Sequence, residues 1–402
     1  MLGLPFIFKS AGWIGGFFVC IVFAAVTWRA SIIIGRTLNG DPRPCYSFND
    51  SPYNSVQTPG SSVDARIRKP LKSFPEMASE SFGHTGTIVL SSVLYFELFS
   101  CLCIFLVSIA DHLRALYEEN SLLHLMSMTA VILVLPLTIL NTPRLLSYLS
   151  FFGTMSTIFV VLAVFLSSVS GGKMIEQAAE AKGITNEGPD YFLWRTKGLP
   201  LAFGMIAYTF SGHAIVPAIY TSMERPQDYE KMVNYTYIIV CFCCLLVAIG
   251  GYYMFGNMVD DQVTLTLDTA SDNPPWTMEL LTWLMVLTAF SKFVLTMFPL
   301  ALGVEELIVD YIHSEKGMII ASATIKIIYN FLALCVAVYV PSFSFVCALV
   351  GLICTMSVSV IFPSAAHLKL YGPHLGLGEK IIDWIFIIGG FAIAIVGTIA
   401  TL

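Results

Sequence analysis

Residues 198–226 read GLPLAFGMIAYTFSGHAIVPAIYTSMERP. The run is long and apolar enough to cross a bilayer, yet Ser211, Gly212, His213 and Pro217 interrupt it near the middle. A helix broken at that depth strands backbone N–H and C=O groups. Such a break is tolerated only where it is buried in protein or lines a polar cavity. In secondary transporters, breaks of this kind typically build the substrate site near the midplane.

The rest of the chain suits a membrane-embedded helical bundle. Hydrophobic residues make up 56% of the sequence and charged residues only 12%, against roughly 25% charged in a soluble domain. The 402 residues read as a single transmembrane domain over 1–402, with the lipid bilayer as its surroundings. The net charge of −6 argues against nucleic acid as a partner. Nine of the ten cysteines lie in apolar runs and Cys45 in a polar loop. They read as small buried hydrophobes, with no spacing that would hold a metal.

A helix needs roughly 20 apolar residues to cross the hydrocarbon. Spans are predicted at 13–35, 87–110, 124–140, 148–169, 199–221, 235–256, 278–301, 318–339, 342–364 and 381–401, after a short apolar piece at 1–12. The polar segment 37–85 is the longest loop, and its stretch 40–62 has a disordered composition. Lys and Arg concentrate on one side (Arg36, Arg43, Arg66, Arg68, Lys69, Lys72, Arg225, Lys231, Lys369 and Lys380 among them). The positive-inside rule makes that side, with loop 37–85, cytosolic. The sequons at Asn49 and Asn234 then fall on the cytosolic side and should stay unglycosylated. Met1 opens directly into apolar sequence, which fits a signal peptide poorly.

Several motifs together resemble the amino acid/auxin permease family. They are LGLPFIFKSAGWIGG at 2–16, SFPEMASESFG at 73–83 leading into SSVLYFELFSC at 91–101, AYTFSGHAIVPAIYTSMERPQDYEKMV at 207–233, and FSKFVLTMFPLALGVEELI at 290–308. Within that family the chain is most similar to vacuolar amino-acid transporters of plants and fungi, relatives of the vesicular inhibitory amino acid transporter. The resemblance implies an all-α LeuT-type fold: two inverted repeats of five helices, then one extra helix, here 381–401. It also implies amino-acid transport coupled to protons or, in some branches, to sodium. The family's first helix is broken just before its Leu-Gly-Leu-Pro. Gly212 precedes Pro217 by five residues, and the same spacing before Pro5 falls one position upstream of Met1. The resemblance therefore implies about ten full helices plus a partial first helix, with 1–12 its remnant.

The chemistry should centre on the break. Freed N–H groups favour a carboxylate and freed C=O groups favour an ammonium, so a zwitterionic amino acid suits both. Thr209, Phe210, Ser211, Gly212 and His213 are candidate substrate contacts, with Gly3 and Tyr95 added; the plain alternative is a helix kink. An unperturbed histidine has a pKa near ~6.5, so His213 is expected either to relay a proton or to fix the break by hydrogen bonding. Glu97 lies deep in LSSVLYFELFSCLCIFLV, where an intramembrane carboxylate belongs either to a proton path or to a structural hydrogen bond. Lys292 shares a face with Thr288. By resemblance, it would be a fixed cation where sodium-coupled relatives hold their ion; otherwise it snorkels or pairs with Glu97. Lys326, with Asn330 one turn on, is expected to snorkel.

Three functions follow. One is a proton-coupled amino-acid transporter of a vacuolar or vesicular membrane, working by alternating access with the proton gradient as its driving force and no cofactor. The second is an amino-acid sensor without flux that signals through loop 37–85. The third is a sodium-coupled permease of the plasma membrane. No Ser/His/Asp, Cys/His or metal constellation points to an enzyme.

Overall fold

A computed structural model describes residues 2–40, 70–117, 132, 143–170, 189–269, 275–308, 311–312, 314–339 and 342–402. Its helices are α1 (Leu4–Asn39), α2 (Phe74–Tyr117), α3 (Pro143–Ser170), α4 (Leu199–Thr209), α5 (Val216–Ser222), α6 (Tyr229–Phe255), α7 (Val263–Thr269), α8 (Pro275–Ile308) and α9 (Glu315–Ala337). Then come α10 (Phe343–Val350), a π-helical segment (Gly351–Ile361), α11 (Phe362–Tyr371) and α12 (Leu377–Thr401). Among the described residues, nine helical stretches are long and apolar enough to cross a membrane. The predicted span 124–140 and nearly all of the 40–62 segment lie outside the described residues.

The chain forms two compact units. The first comprises Met1–Ile14, Tyr95–Thr196 and Cys244–Cys347, the second Gly15–Leu94, Lys197–Cys243 and Ala348–Leu402.

In the first unit, α1 turns sharply at Gly12 (φ 81, ψ 171), a backbone region essentially reserved for glycine. The break frees the N–H groups of Trp13 and Ile14, and they donate to the carbonyls of Phe192 and Leu193, both at 2.9 Å. Arg195 N–H returns a bond to Ala11 O at 2.9 Å. A passing segment thereby satisfies groups that a helix end would otherwise leave open. Trp13, Tyr191 and Tyr252 pack around it, with the Trp13 and Tyr252 rings 4.9 Å apart. Burial, then the neighbouring phenols of Tyr253 and Tyr252, pushes the Tyr191 hydroxyl above its ordinary pKa. It therefore stays a donor, to Tyr253 O at 2.6 Å. Elsewhere in this unit Gly153 lets α3 close on Ser291 of α8, whose hydroxyl donates to Leu149 O at 2.7 Å.

In the second unit, α4 packs directly on the π-helical segment. A Cβ added at Gly351 would stand 2.8 Å from the Gly204 carbonyl carbon and 2.9 Å from Tyr208 N. Small residues at such contacts let membrane helices approach backbone to backbone. Gly351→Ala should therefore cost about 1–3 kcal/mol, read as a lowered thermal midpoint of the purified protein. Gly389→Ala, with open space at its Cβ position, should leave that midpoint unchanged or slightly raised. An unchanged Gly351→Ala midpoint would show the contact to be slack.

Four sequence readings need correction. The loop predicted at 37–85 is helical at both ends, since α1 runs to Asn39 and α2 already starts at Phe74. The helix predicted at 235–256 starts at Tyr229, after a short turn at Pro226–Asp228. Asn234 is therefore helical rather than in a loop, and its Oδ1 accepts from Trp28 Nε1 at 2.7 Å. The span predicted at 342–364 continues to Tyr371 because the π segment adds no break. Lys326 does not snorkel: it is 5% exposed, and Glu305 of the preceding helix acts on it electrostatically.

Candidate functional site

The helical ladder of α4 stops at Phe210, whose N–H reaches Ile206 O, and resumes with Ile215 N–H to Gly212 O at 3.4 Å. Pro217 sits in the first turn of α5, where its missing N–H costs nothing. The break predicted around 211–213 is thus a real interruption between two half-helices.

His213 pins the break to α1. The imidazole is 1% exposed, and its Nε2 lies 3.0 Å from Thr27 O. A carbonyl only accepts, so Nε2 carries the proton and donates. Tyr237 Oη is 3.4 Å from the same nitrogen and 3.0 Å from Ser31 Oγ. Tyr229 Oη donates to Ser31 O at 3.0 Å. Phe210 lies parallel to the Tyr237 ring, at 6.4 Å and 4°. Thr27 and Ser31 are one turn apart on α1, and Tyr229 and Tyr237 about two turns apart on α6. One face of each helix therefore serves the break. His213 Nδ1 is buried and has no hydrogen-bond partner among the described residues.

A cavity of about 250 Å³ opens beside the break, lined by Thr209, Phe210, Ser211, Gly212, Ser31 and Tyr237 among others. Nothing lies within 4 Å of the place a Gly212 Cβ would take, so the backbone there is bare. Thr209 Oγ1 is bonded to Met205 O at 2.8 Å, leaving its methyl and the neighbouring backbone to shape the wall. What the arrangement offers is a non-helical turn of backbone, with Ser211 N–H on Tyr208 O at 3.1 Å, beside a mostly apolar pocket. It suits a small solute with a charged head and an apolar remainder.

The remaining predicted residues belong to the first unit. Gly3 precedes α1 and its carbonyl accepts from Ile7 N at 3.0 Å. Tyr95 packs on Gly303 of α8. Glu97 is 4% exposed, and Ser100 beside it in sequence turns instead to Phe96 O at 2.8 Å. Lys292 is accessible while Thr288, one turn earlier, is buried. Sequence reasoning missed Thr27, Ser31, Tyr229 and Tyr237; the four-residue and eight-residue spacings were the available signal. It also missed Asp383, a lone carboxylate in an otherwise apolar run.

Residues 1–402 match the family model described as "Transmembrane amino acid transporter protein". Amino acid transporter AVT1C of Arabidopsis thaliana is 28% identical over 419 residues, covering 100% of this chain and 66% of that protein. Amino acid transporter AVT1E of the same plant is 26% identical over 383 residues, covering 92% of this chain and 64% of that protein. The chain thus spans about two thirds of the length of these curated relatives. The crystal structure of MhsT in complex with L-phenylalanine matches with a TM-score of 0.53 at 13% identity, covering 100% of this chain and 95% of that one. The LeuT-type helical fold predicted from the sequence is therefore the fold found, and the relatives it matches are named as amino acid transporters rather than as enzymes. With a family match that runs from the first residue to the last, and a broken helix where the resemblance requires one, the chain belongs to the transmembrane amino acid transporter family, the amino acid/auxin permeases.

Proposed function

We propose that this chain is the membrane-embedded body of a secondary active amino-acid transporter. It is proton-coupled, sits in a vacuolar or vesicular membrane and works by alternating access. The observation that carries the reading is the interrupted helix 199–222, held open by His213 on Thr27 and bordered by a cavity of about 250 Å³. A zwitterion's ammonium and carboxylate match freed carbonyl and N–H groups at such a break. Phe210 and the apolar cavity wall would receive the side chain. Names of relatives such as "Amino acid transporter AVT1C" support the substrate class. The vacuolar setting, the cytosolic placing of loop 37–85, and the roles of Gly3, Tyr95, Glu97 and Lys292 rest on the resemblance and on charge distribution.

Proteoliposomes containing the full-length protein test the proposal. With an acidic lumen, radiolabelled neutral amino acids should move against their gradient, and collapsing the pH difference should abolish accumulation. Flux that needs sodium instead would favour the plasma-membrane permease. Binding without flux would favour the sensor, and neither binding nor flux would sink all three.

A further inference from the structure

The second unit holds a buried charge cluster that the break does not use. Asp383 of α12 is 0% exposed and His367 of α11 is 1% exposed. His367 Nδ1 lies 2.7 Å from Asp383 Oδ2. Arg29 of α1 stands 3.6 Å from the other carboxylate oxygen, its own side chain 23% exposed. Asp383 is six residues into α12, about 9 Å along the axis at the helical rise. Elsewhere that helix presents Ile381, Trp384, Ile385 and Ile388 outward. A carboxylate placed there is costly and marks a functional group by default.

Proton positions follow from the geometry. A carboxylate only accepts, so His367 Nδ1 carries the hydrogen and, in the neutral ring, Nε2 keeps its lone pair. Nε2 is buried without a hydrogen-bond partner among the described residues, as are Arg29 Nε and Ser364 Oγ, the latter one turn before His367. Such a concentration of unsatisfied polar atoms requires an explanation. With His367 neutral, Arg29 and Asp383 balance in charge. One proton added at Nε2 leaves a single carboxylate facing two cations. The imidazolium is nearer and enclosed; Arg29 is farther and partly exposed, so Arg29 is the partner displaced.

Around the dyad, α2 sets Phe74 and Phe82 against Phe362 of α11 and carries the half-buried Glu76 and the exposed Glu80 and His84. From its own helix His367 meets Tyr371, ring to ring at 5.9 Å. The π segment and α4, both packed on this region, carry only Cys354 and Tyr208. Lys369 and His374 are exposed, Lys380 is half-buried, and Glu379 caps the Gly376 N–H at 3.3 Å.

We propose that His367 Nε2 is the proton-binding atom of the transport cycle, with Asp383 its counter-ion and Arg29 the group that the proton displaces. Arg29 follows Thr27 by two residues, so the two project from nearly opposite sides of α1. One side of that helix holds the charge cluster and the other holds His213 at the break. A change in Arg29 pairing thus acts on the element that fixes the break, a contiguous physical link. The inference rests on the proton-coupled reading above and names where its proton sits.

Proteoliposome transport by the full-length protein tests it through two variants. Wild-type protein that moves amino acids but ignores the pH gradient would refute proton coupling itself. Given a coupled wild type, His367→Asn keeps a donor near the Nδ1 position and lacks the second nitrogen. It should lose pH-driven accumulation at least ~10-fold while exchange at equal pH on both sides is retained. Undiminished accumulation in this variant overturns the proposal. Arg29→Gln removes a competing cation, so half-maximal uptake should move to higher pH by about one unit. A merely structural ion pair would leave that midpoint in place. An unmoved or lowered midpoint overturns the proposal even if the histidine variant fails to fold.

Discussion

Gly12→Ala should cost the protein far more than Gly83→Ala, although both glycines interrupt helices in similar backbone conformations. Gly12 has φ 81 and ψ 171, and Gly83 has φ 70 and ψ −164. For a residue with a Cβ, that region carries a strain of about 1–3 kcal/mol. At Gly83 the strain is the whole cost, because nothing lies within 4 Å of the added carbon. At Gly12 the carbon would also meet Leu193 C and Trp194 N, both at 2.7 Å. Those atoms are backbone and cannot rotate away. They belong to the segment whose Phe192 and Leu193 carbonyls take up the Trp13 and Ile14 N–H groups. Pushing them off loses the bonds as well, adding about another 1–3 kcal/mol. Against a typical total stability of about 5–15 kcal/mol, the alanine at 12 should sharply lower the yield of monodisperse protein and its thermal midpoint. Gly83→Ala should remain purifiable with a modest shift. Equal losses at the two positions would show that the close approach at Gly12 contributes nothing.

The contrast between these glycines bears on what a sequence can disclose. A junction near residue 12 was legible, because an apolar run of 1–35 is too long for one span and Gly-Trp-Ile-Gly-Gly supplies the turn. The break at 210–215 was legible for the same reason: Gly212, His213 and Pro217 are conspicuous inside an apolar run. Side-chain partners were not, since they join distant positions. Tyr229 meets Ser31 across 198 residues and Tyr237 meets it across 206. The four-residue and eight-residue spacings mark which residues share a helix face, but no local period encodes which faces meet. The π segment 351–361 reads as any apolar helix; its wider winding goes with the close approach of Gly351 to Gly204. Lys326 escapes a linear reading because hydropathy locates a charge along a span but not around it. The face it occupies is packed, which is a tertiary fact. Asp383 was visible as the one carboxylate in the apolar run 381–401, but His367 and Arg29 become its partners only once three helices are assembled.

His213 carries the second large effect, and its two sequence readings predict different outcomes for one substitution. Its Nε2–H donates to Thr27 O inside an almost fully enclosed site. His213→Ala removes the donor and leaves a cavity, and the freed backbone of 210–212 loses its tether to α1. Loss of a buried hydrogen bond of this kind costs about 1–3 kcal/mol. If that free energy is taken from the pinned state alone, its population falls roughly 5–150-fold, and transport should fall in proportion. The glutamine side chain in His213→Gln would place an N–H donor near the former Nε2 but has no protonatable nitrogen. If His213 is a pin, His213→Gln should keep most of the uptake and all of its dependence on the pH gradient. If His213 relays the coupling proton, His213→Gln should still exchange amino acids at equal pH but should no longer accumulate them. The geometry favours the pin. A relay must release and rebind its proton, whereas Nε2–H is held by a carbonyl that can only accept. A second proton at the buried Nδ1 would make an imidazolium with no carboxylate bonded to its ring among the described residues, unlike His367 beside Asp383. Parallel measurement of accumulation and exchange in His213→Ala and His213→Gln separates the two. Retained exchange without accumulation in the glutamine variant would return His213 to the proton path and remove the need for His367 as the coupling site.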